Sequence, residues 1–121
     1  MTRGLSGQGF DIDLLNGQAI ENALREILVD PTLEVKDERR KCPHTGNIFV
    51  EYTQYGRPSG IQITSAKYWA VCYAEGCFLI VPVHYLKRIA DRKWKRGHMV
   101  NGGDYDMYRG VLIPIDTLVP H

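Results

Sequence analysis

Gln18-Ala-Ile-Glu-Asn-Ala-Leu-Arg-Glu-Ile-Leu-Val29 runs directly into Asp30-Pro-Thr-Leu-Glu-Val-Lys36, and the hydrophobic period changes at the junction. In the first part Ile20, Ala23, Leu24, Ile27 and Leu28 recur at the spacing of one helical face. Asp30-Pro31 ends that helix, because the residue before a proline disfavours the α region. In the second part the period is two. Leu33 and Val35 fall on one side of an extended chain and are expected to anchor it in a core, while Thr32, Glu34 and Lys36 fall on the other.

The rest of the chain follows outward from this junction. Met1–Gly9 is Gly-rich and lacks an apolar core of the signal-peptide kind, so residues 1–9 read as a flexible tail and 10–121 as one domain. Phe10-Asp-Ile-Asp-Leu-Leu15 alternates apolar and acidic residues, as a short strand or entry turn does, and Asn16-Gly17 reads as the helix start. Asp37–Thr45 is polar and carries Pro43, hence a loop. Asn47–Tyr55 is a strand with Ile48, Val50 and Tyr52 on one face, and Gly56–Gly60 is a turn. Thr64–Lys67 suggests a short helical turn. Trp69–Cys72 and Phe78–Val83 flank Glu75-Gly76 as a hairpin. His84–Lys95 is helical, with Leu86, Ile89 and Ala90 on one side. Gly97–Gly110 reads as a flexible loop and Val111–Ile115 as a last strand. The alternation of helices and strands indicates an α/β domain with a central mixed sheet flanked by helices.

Composition narrows the function classes. At 44% hydrophobic and 24% charged, the 121-residue chain is ordinary for one globular domain, which excludes disorder and coiled coil. No apolar run is long enough to span a bilayer. Three cysteines without a CxxC pair read as reduced thiols of a cytoplasmic protein, and Cys42 with His44 gives at most half of a structural zinc site. The net charge of +1 excludes a chain that coats nucleic acid over its whole surface. Charge is nonetheless concentrated. Lys87–Arg96 holds six bases, including Arg92, Lys93, Lys95 and Arg96, against Asp91, around Trp94. Arg39-Arg40-Lys41 is a second basic cluster. Both are candidate contacts to a phosphate backbone. Both also fit solvated surface segments.

Asp30, Thr32, Glu34 and Lys36 share one parity, so an extended chain sets two carboxylates and an ammonium on one face. Hard carboxylate oxygens suit Mg²⁺ or Mn²⁺. Glu21, at the border of the apolar stripe, supplies a third candidate acid. A metal at such a site lowers the pKa of a bound water and neutralises phosphoryl charge. The Lys36 ammonium then orients that water or stabilises the transition state, which is a working set for phosphodiester hydrolysis. Spacing alone has a plainer reading: a Glu-x-Lys strand is more often a solvated face with a weak surface pair, Asp-Pro is ordinary turn chemistry, and Glu21 fits a solvated helix position.

Glu34-Val-Lys36 after an acidic helix resembles the PD-(D/E)XK nuclease superfamily, the restriction-endonuclease-like fold that includes Holliday-junction resolvases. Thr45-Gly-Asn-Ile-Phe-Val-Glu-Tyr52, Gly56-Arg-Pro-Ser-Gly-Ile61, Thr64-Ser-Ala-Lys-Tyr-Trp69, Asn101-Gly-Gly-Asp104 and Arg109-Gly-Val-Leu-Ile-Pro114 resemble small nuclease-like proteins of bacteriophage genomes. The similarity spans Phe10 to Leu118. It implies a Mg²⁺- or Mn²⁺-dependent DNA endonuclease, acting on branched or structured DNA, in bacterial or infected-cell cytoplasm. The alternative it leaves open is a DNA-binding module of the same fold without metal competence. Glu34 and Lys36 match the (D/E)XK pair, and Glu21 matches the first-helix glutamate. Asp30 is the nearest match to the superfamily's first aspartate, yet only three residues separate it from Glu34, so the usual intervening hairpin is missing. Asp11, Asp13 and Glu51 are reserve ligands, Glu51 joining if its strand pairs beside that of Glu34. A chain this small implies a homodimer for cutting both strands or a junction.

Overall fold

The computed structural model describes residues 7–102 and 107–119, the first nine of these by their backbone alone. The chain divides into two compact units, Met1–Leu33 and Glu34–His121.

The first unit carries helix α1, Gly7–Val29. The helical face read from Ile20 to Leu28 lies within it. The helix begins well before Asn16-Gly17, and Phe10–Leu15 is helical and not a strand. Its apolar and acidic residues alternate over a stretch short enough to fit either period, and continuity with the strongly helical segment behind it decides for the helix. At the other end the Asp-Pro stop operates as expected. The Asp30 carboxylate accepts hydrogen bonds from the Thr32 amide (2.8 Å) and hydroxyl (2.7 Å), turning the chain after the last helical residue. Ile20, Leu24 and Leu28 of the apolar stripe are exposed.

The second unit contains two sheets. Strands β1 (Glu34–Asp37), β4 (Tyr68–Ala74) and β5 (Cys77–Pro82) form one, in the order β1-β4-β5, with β1 parallel to β4 and the β4–β5 hairpin antiparallel. Strands β2 (Asn47–Gln54), β3 (Arg57–Pro58), β6 (Val100–Gly102) and β7 (Tyr108–Pro114) form the other, antiparallel, in the order β3-β2-β7-β6. The α/β class holds, but the strands are divided between two sheets, because β2 takes β7 and β3 as partners and not β1. Residues 97–110, expected to be a loop, contribute β6 and the start of β7, with 103–106 outside the described residues. The Thr64–Lys67 turn is displaced to a 3₁₀ turn at Gly60–Gln62.

Alternation along the strands builds one core. Ile48, Val50 and Tyr52 of β2, Val111 and Ile113 of β7, and Trp69, Val71 and Val81 of the β4–β5 hairpin are buried together. Helix α3 (Val83–Lys95) closes this core with Leu86 and Ala90, which are wholly buried one turn apart. Its next turn presents Trp94, whose ring stacks on Tyr52 at 4.4 Å and 23°. Asp91 ties the same surface together by accepting from the Tyr52 hydroxyl (2.8 Å) and the Lys87 ammonium (3.0 Å). The one-turn helix α2, Cys42–Thr45, caps the loop after β1 and buries Cys42. Cys42, Cys72 and Cys77 are free thiols, the first two buried.

Candidate active-site face of strand β1

Strand β1 reverses the expected hydrophobic polarity. Val35 is 64% exposed, whereas the side chains of Glu34 and Lys36 are only 37% and 39% exposed. Register explains the reversal. In the parallel β1–β4 ladder Glu34 lies opposite Trp69 and Lys36 opposite Val71, both core residues, so the charged side chains share the inner face. The expected anchoring of Val35 in a core is therefore overturned: partners distant in sequence make the polar face the favourable one to cover.

Those partners form a connected cluster. The Lys36 ammonium lies 2.9 Å from Glu34 Oε2 and 4.6 Å from the centre of the Trp69 ring, a cation–π arrangement. The Thr64 hydroxyl donates to Glu34 Oε1. Thr64 Oγ1 in turn accepts from the Ala66 amide (3.1 Å) and, at 3.4 Å, from the Trp69 indole. Burial pulls the Glu34 carboxyl upward, but the Thr64 hydroxyl and the Lys36 ammonium outweigh it and hold the group below its ordinary value, hence ionised near neutrality.

The alternation does not stop at Asp37. The Glu38 amide donates to the Cys72 carbonyl (2.8 Å), continuing the ladder with β4, so Glu38 follows Glu34 and Lys36 in parity. Its carboxylate accepts from the Phe49 amide. Burial raises the Glu38 pKa, against the Phe49 N–H and the nearby Lys41 and Lys36. Glu38 is the acid missed when residues 37–45 are read as a loop. The signal was present, since Glu34, Lys36 and Glu38 follow a strict period of two.

The other proposed residues separate by place. Glu21 is exposed in the first unit and faces Arg25 at 3.8 Å as a loose pair one helical turn away. Asp30 belongs to the turn that ends α1. Glu51 sits on β2 opposite Gly110 of β7, so the pairing that would bring it beside Glu34 does not occur. The side chains of Asp11 and Asp13 lie outside the described residues.

The basic residues also sort. Arg39 is fully engaged: its guanidinium meets both Asp37 carboxylate oxygens (2.9 and 2.7 Å) and Glu75 Oε2 (3.0 Å). The Arg39 side chain holds the Asp37 carboxyl down at about 2. Arg40 and Lys41 join none of the ion pairs among the described residues, which are Arg25–Glu21, Lys36–Glu34, Arg39 with Asp37 and Glu75, and Lys87–Asp91. On α3, Lys87 is committed to Asp91, while Arg92, Lys95 and Arg96 are exposed and Lys93 is half-buried. Their position in the last turn also complements the helix dipole.

Among the described residues no three His, Cys, Asp or Glu side chains gather closely enough to hold a metal ion. Glu34 by itself has the hard, ionised oxygens that Mg²⁺ or Mn²⁺ takes, and Mg²⁺ is often held by one or two carboxylates plus substrate phosphates. No helix is long and apolar enough to cross a membrane, among the described residues. No family model, curated protein or solved structure matches the chain.

Proposed function

We propose that this protein is a DNA endonuclease of the restriction-endonuclease-like type that hydrolyses phosphodiester bonds at the inner face of β1. The observation that carries the reading is the Glu34–Lys36 pair: an ionised carboxylate and an ammonium 2.9 Å apart, on a half-covered strand face, held by Thr64 and Trp69. A constellation fixed in this way costs little reorganisation when charge develops on a phosphoryl oxygen. Lys36 is the group that meets that charge or orients the attacking water. Glu34 is the carboxylate for Mg²⁺ or Mn²⁺, which when bound supplies Lewis-acid polarisation and a nucleophilic water. The exposed bases Arg92, Lys95 and Arg96, with Lys93, are the proposed backbone contacts, and a homodimer is the proposed form on duplex or branched DNA.

A second reading has its own support. Only three residues separate Asp30 from Glu34, so the hairpin that carries the superfamily's first aspartate is missing, which suits a DNA-binding module of this fold without metal competence. Incubation of plasmid and four-way-junction DNA with Mg²⁺, Mn²⁺ or chelator separates the two. The endonuclease reading expects cleavage that chelator abolishes. Retention of DNA without cleavage in either metal overturns it in favour of the binding module.

A further inference from the structure

Beside the basic loop that follows β1 lies a cleft of about 360 Å³, within the size range of small-ligand sites. It is built entirely within the second unit, between the loop residues Glu38, Arg40 and Lys41 and the outer face of the four-stranded sheet at Asn47, Phe49 and Leu112. We propose that this cleft binds one unpaired nucleotide, its base against Phe49 and Leu112 and its phosphate at Arg40 and Lys41.

Three observations set the chemistry. The floor is apolar and includes an aromatic ring in a made-to-measure space. A Cβ at Gly102 would come within 2.4 Å of the Phe49 ring and one at Gly110 within 2.8 Å, so two strand glycines leave the room that ring occupies. The rim holds two cations that join no ion pair among the described residues, with Lys41 near the Glu38 carboxyl and Asp37 lining the same cleft. Arg39, the first of the three consecutive bases, is spent on Asp37 and Glu75, while Arg40 and Lys41 line the cleft outside any ion pair among the described residues. Between floor and rim stand hydrogen-bonding groups, the half-buried Glu38 carboxyl and the Asn47 amide. A ligand that satisfies all three parts has a flat apolar body, a polar edge and an anionic end. A nucleoside phosphate has these, and base–aromatic stacking is worth about 1–3 kcal/mol per base in single-strand binders. A paired base inside a duplex does not offer its face, so the cleft selects unpaired nucleotides. The inference goes beyond the proposed hydrolysis and does not require Glu34 to be catalytic.

The test measures binding in chelator, which keeps it independent of cleavage. Calorimetric titrations use dAMP, deoxyadenosine without phosphate, duplex DNA with a one-nucleotide 5′ overhang, and the blunt duplex. The expected result is that dAMP binds at least tenfold tighter than deoxyadenosine, and the overhang tighter than the blunt end. Affinity for dAMP but no gain from the overhang assigns the cleft to free nucleotides. Arg40→Gln with Lys41→Gln, both exposed, is expected to remove the advantage of the phosphate while leaving the melting temperature unchanged. Phe49→Leu, which keeps an apolar floor, is expected to weaken dAMP and deoxyadenosine alike. Backbone amide shifts on dAMP addition should centre on Lys41, Asn47 and Phe49. Equal binding of dAMP to the parent and the double variant, or shifts elsewhere, would overturn the proposal. A protein that binds dAMP here yet never cuts DNA would fail only the endonuclease reading.

Discussion

Strand β1 carries two ion-pair clusters, on opposite faces and of opposite character. Glu34 and Lys36 lie on the inner face, half-covered, tied to Thr64 and to the Trp69 ring. Asp37, on the outer face, meets Arg39, which also holds the exposed Glu75. The chemistry is nearly the same, a carboxylate and a cation within 3 Å. What differs is the surroundings. The outer cluster is screened by water, and removing a member leaves its partners solvated. The inner cluster is backed by the core, where an unpaired group is costly and a developing charge is felt strongly. The same residue types two positions apart thus support a surface clamp and a candidate reaction centre.

The two clusters should differ most in the loss of their carboxylates. Glu34→Ala should abolish Mn²⁺ binding by calorimetry and reduce DNA cleavage to background, whereas Glu75→Ala on the outer cluster should leave both at parent levels. Equal behaviour of the two variants would erase the distinction. Next in size is the basic end of α3. Neutralising Arg92, Lys93, Lys95 and Arg96 together should weaken DNA binding and flatten its salt dependence, by about 0.9 in log–log slope for each phosphate no longer neutralised. An unchanged slope would take this segment off the DNA surface.

Thr64→Val probes the support of the inner cluster. It takes the donor from Glu34 and the acceptor from the Trp69 indole and Ala66 amide, at a cost of about 1–3 kcal/mol in chemical denaturation. The pH dependence follows in sign. Because the folded state holds the Glu34 pKa below its ordinary 4.5, its contribution is present above that value and is lost as pH falls through the lower, folded value. Thr64→Val raises the folded value, so less of this acid-labile stability remains to be lost. The smallest effect belongs to the outer cluster. Arg39→Ala should leave melting temperature and cleavage near parent values, and with the Asp37 carboxyl at about 2 its pairing should persist in the parent down to that pH. A large drop in melting temperature on Arg39→Ala would show that exposure is a poor guide here.

How much of this was legible in the sequence depends on how local the cause is. The β4–β5 hairpin, the inner side of β2 and the buried side of α3 are set by short-range alternation and by the Glu75-Gly76 turn, and all three are found where they were expected. The start of α1 was not, because six residues alternating about Phe10 satisfy both periods. The inward face of β1 is the reverse of what its residues suggest, since apolar Val35 is exposed and the charged Glu34 and Lys36 face inward. What covers Glu34 and Lys36 is Thr64 and Trp69, about thirty residues on, and no local pattern announces them. The division into two sheets has the same origin: β2 chooses β7, about half the chain away, over neighbouring β1.

Lys36 offers the most direct test of a reaction centre on β1. Lys36→Met keeps an apolar side chain over the Trp69 ring and removes the ammonium alone. Single-turnover cleavage at saturating DNA in Mg²⁺ should then slow on the order of 100-fold or more, as expected for loss of one preorganised transition-state donor, while DNA affinity in Ca²⁺ stays within a few-fold of the parent. Cleavage by Lys36→Met at the parent rate would contradict the catalytic role, leaving Glu34 and Lys36 as a structural pair on a covered strand.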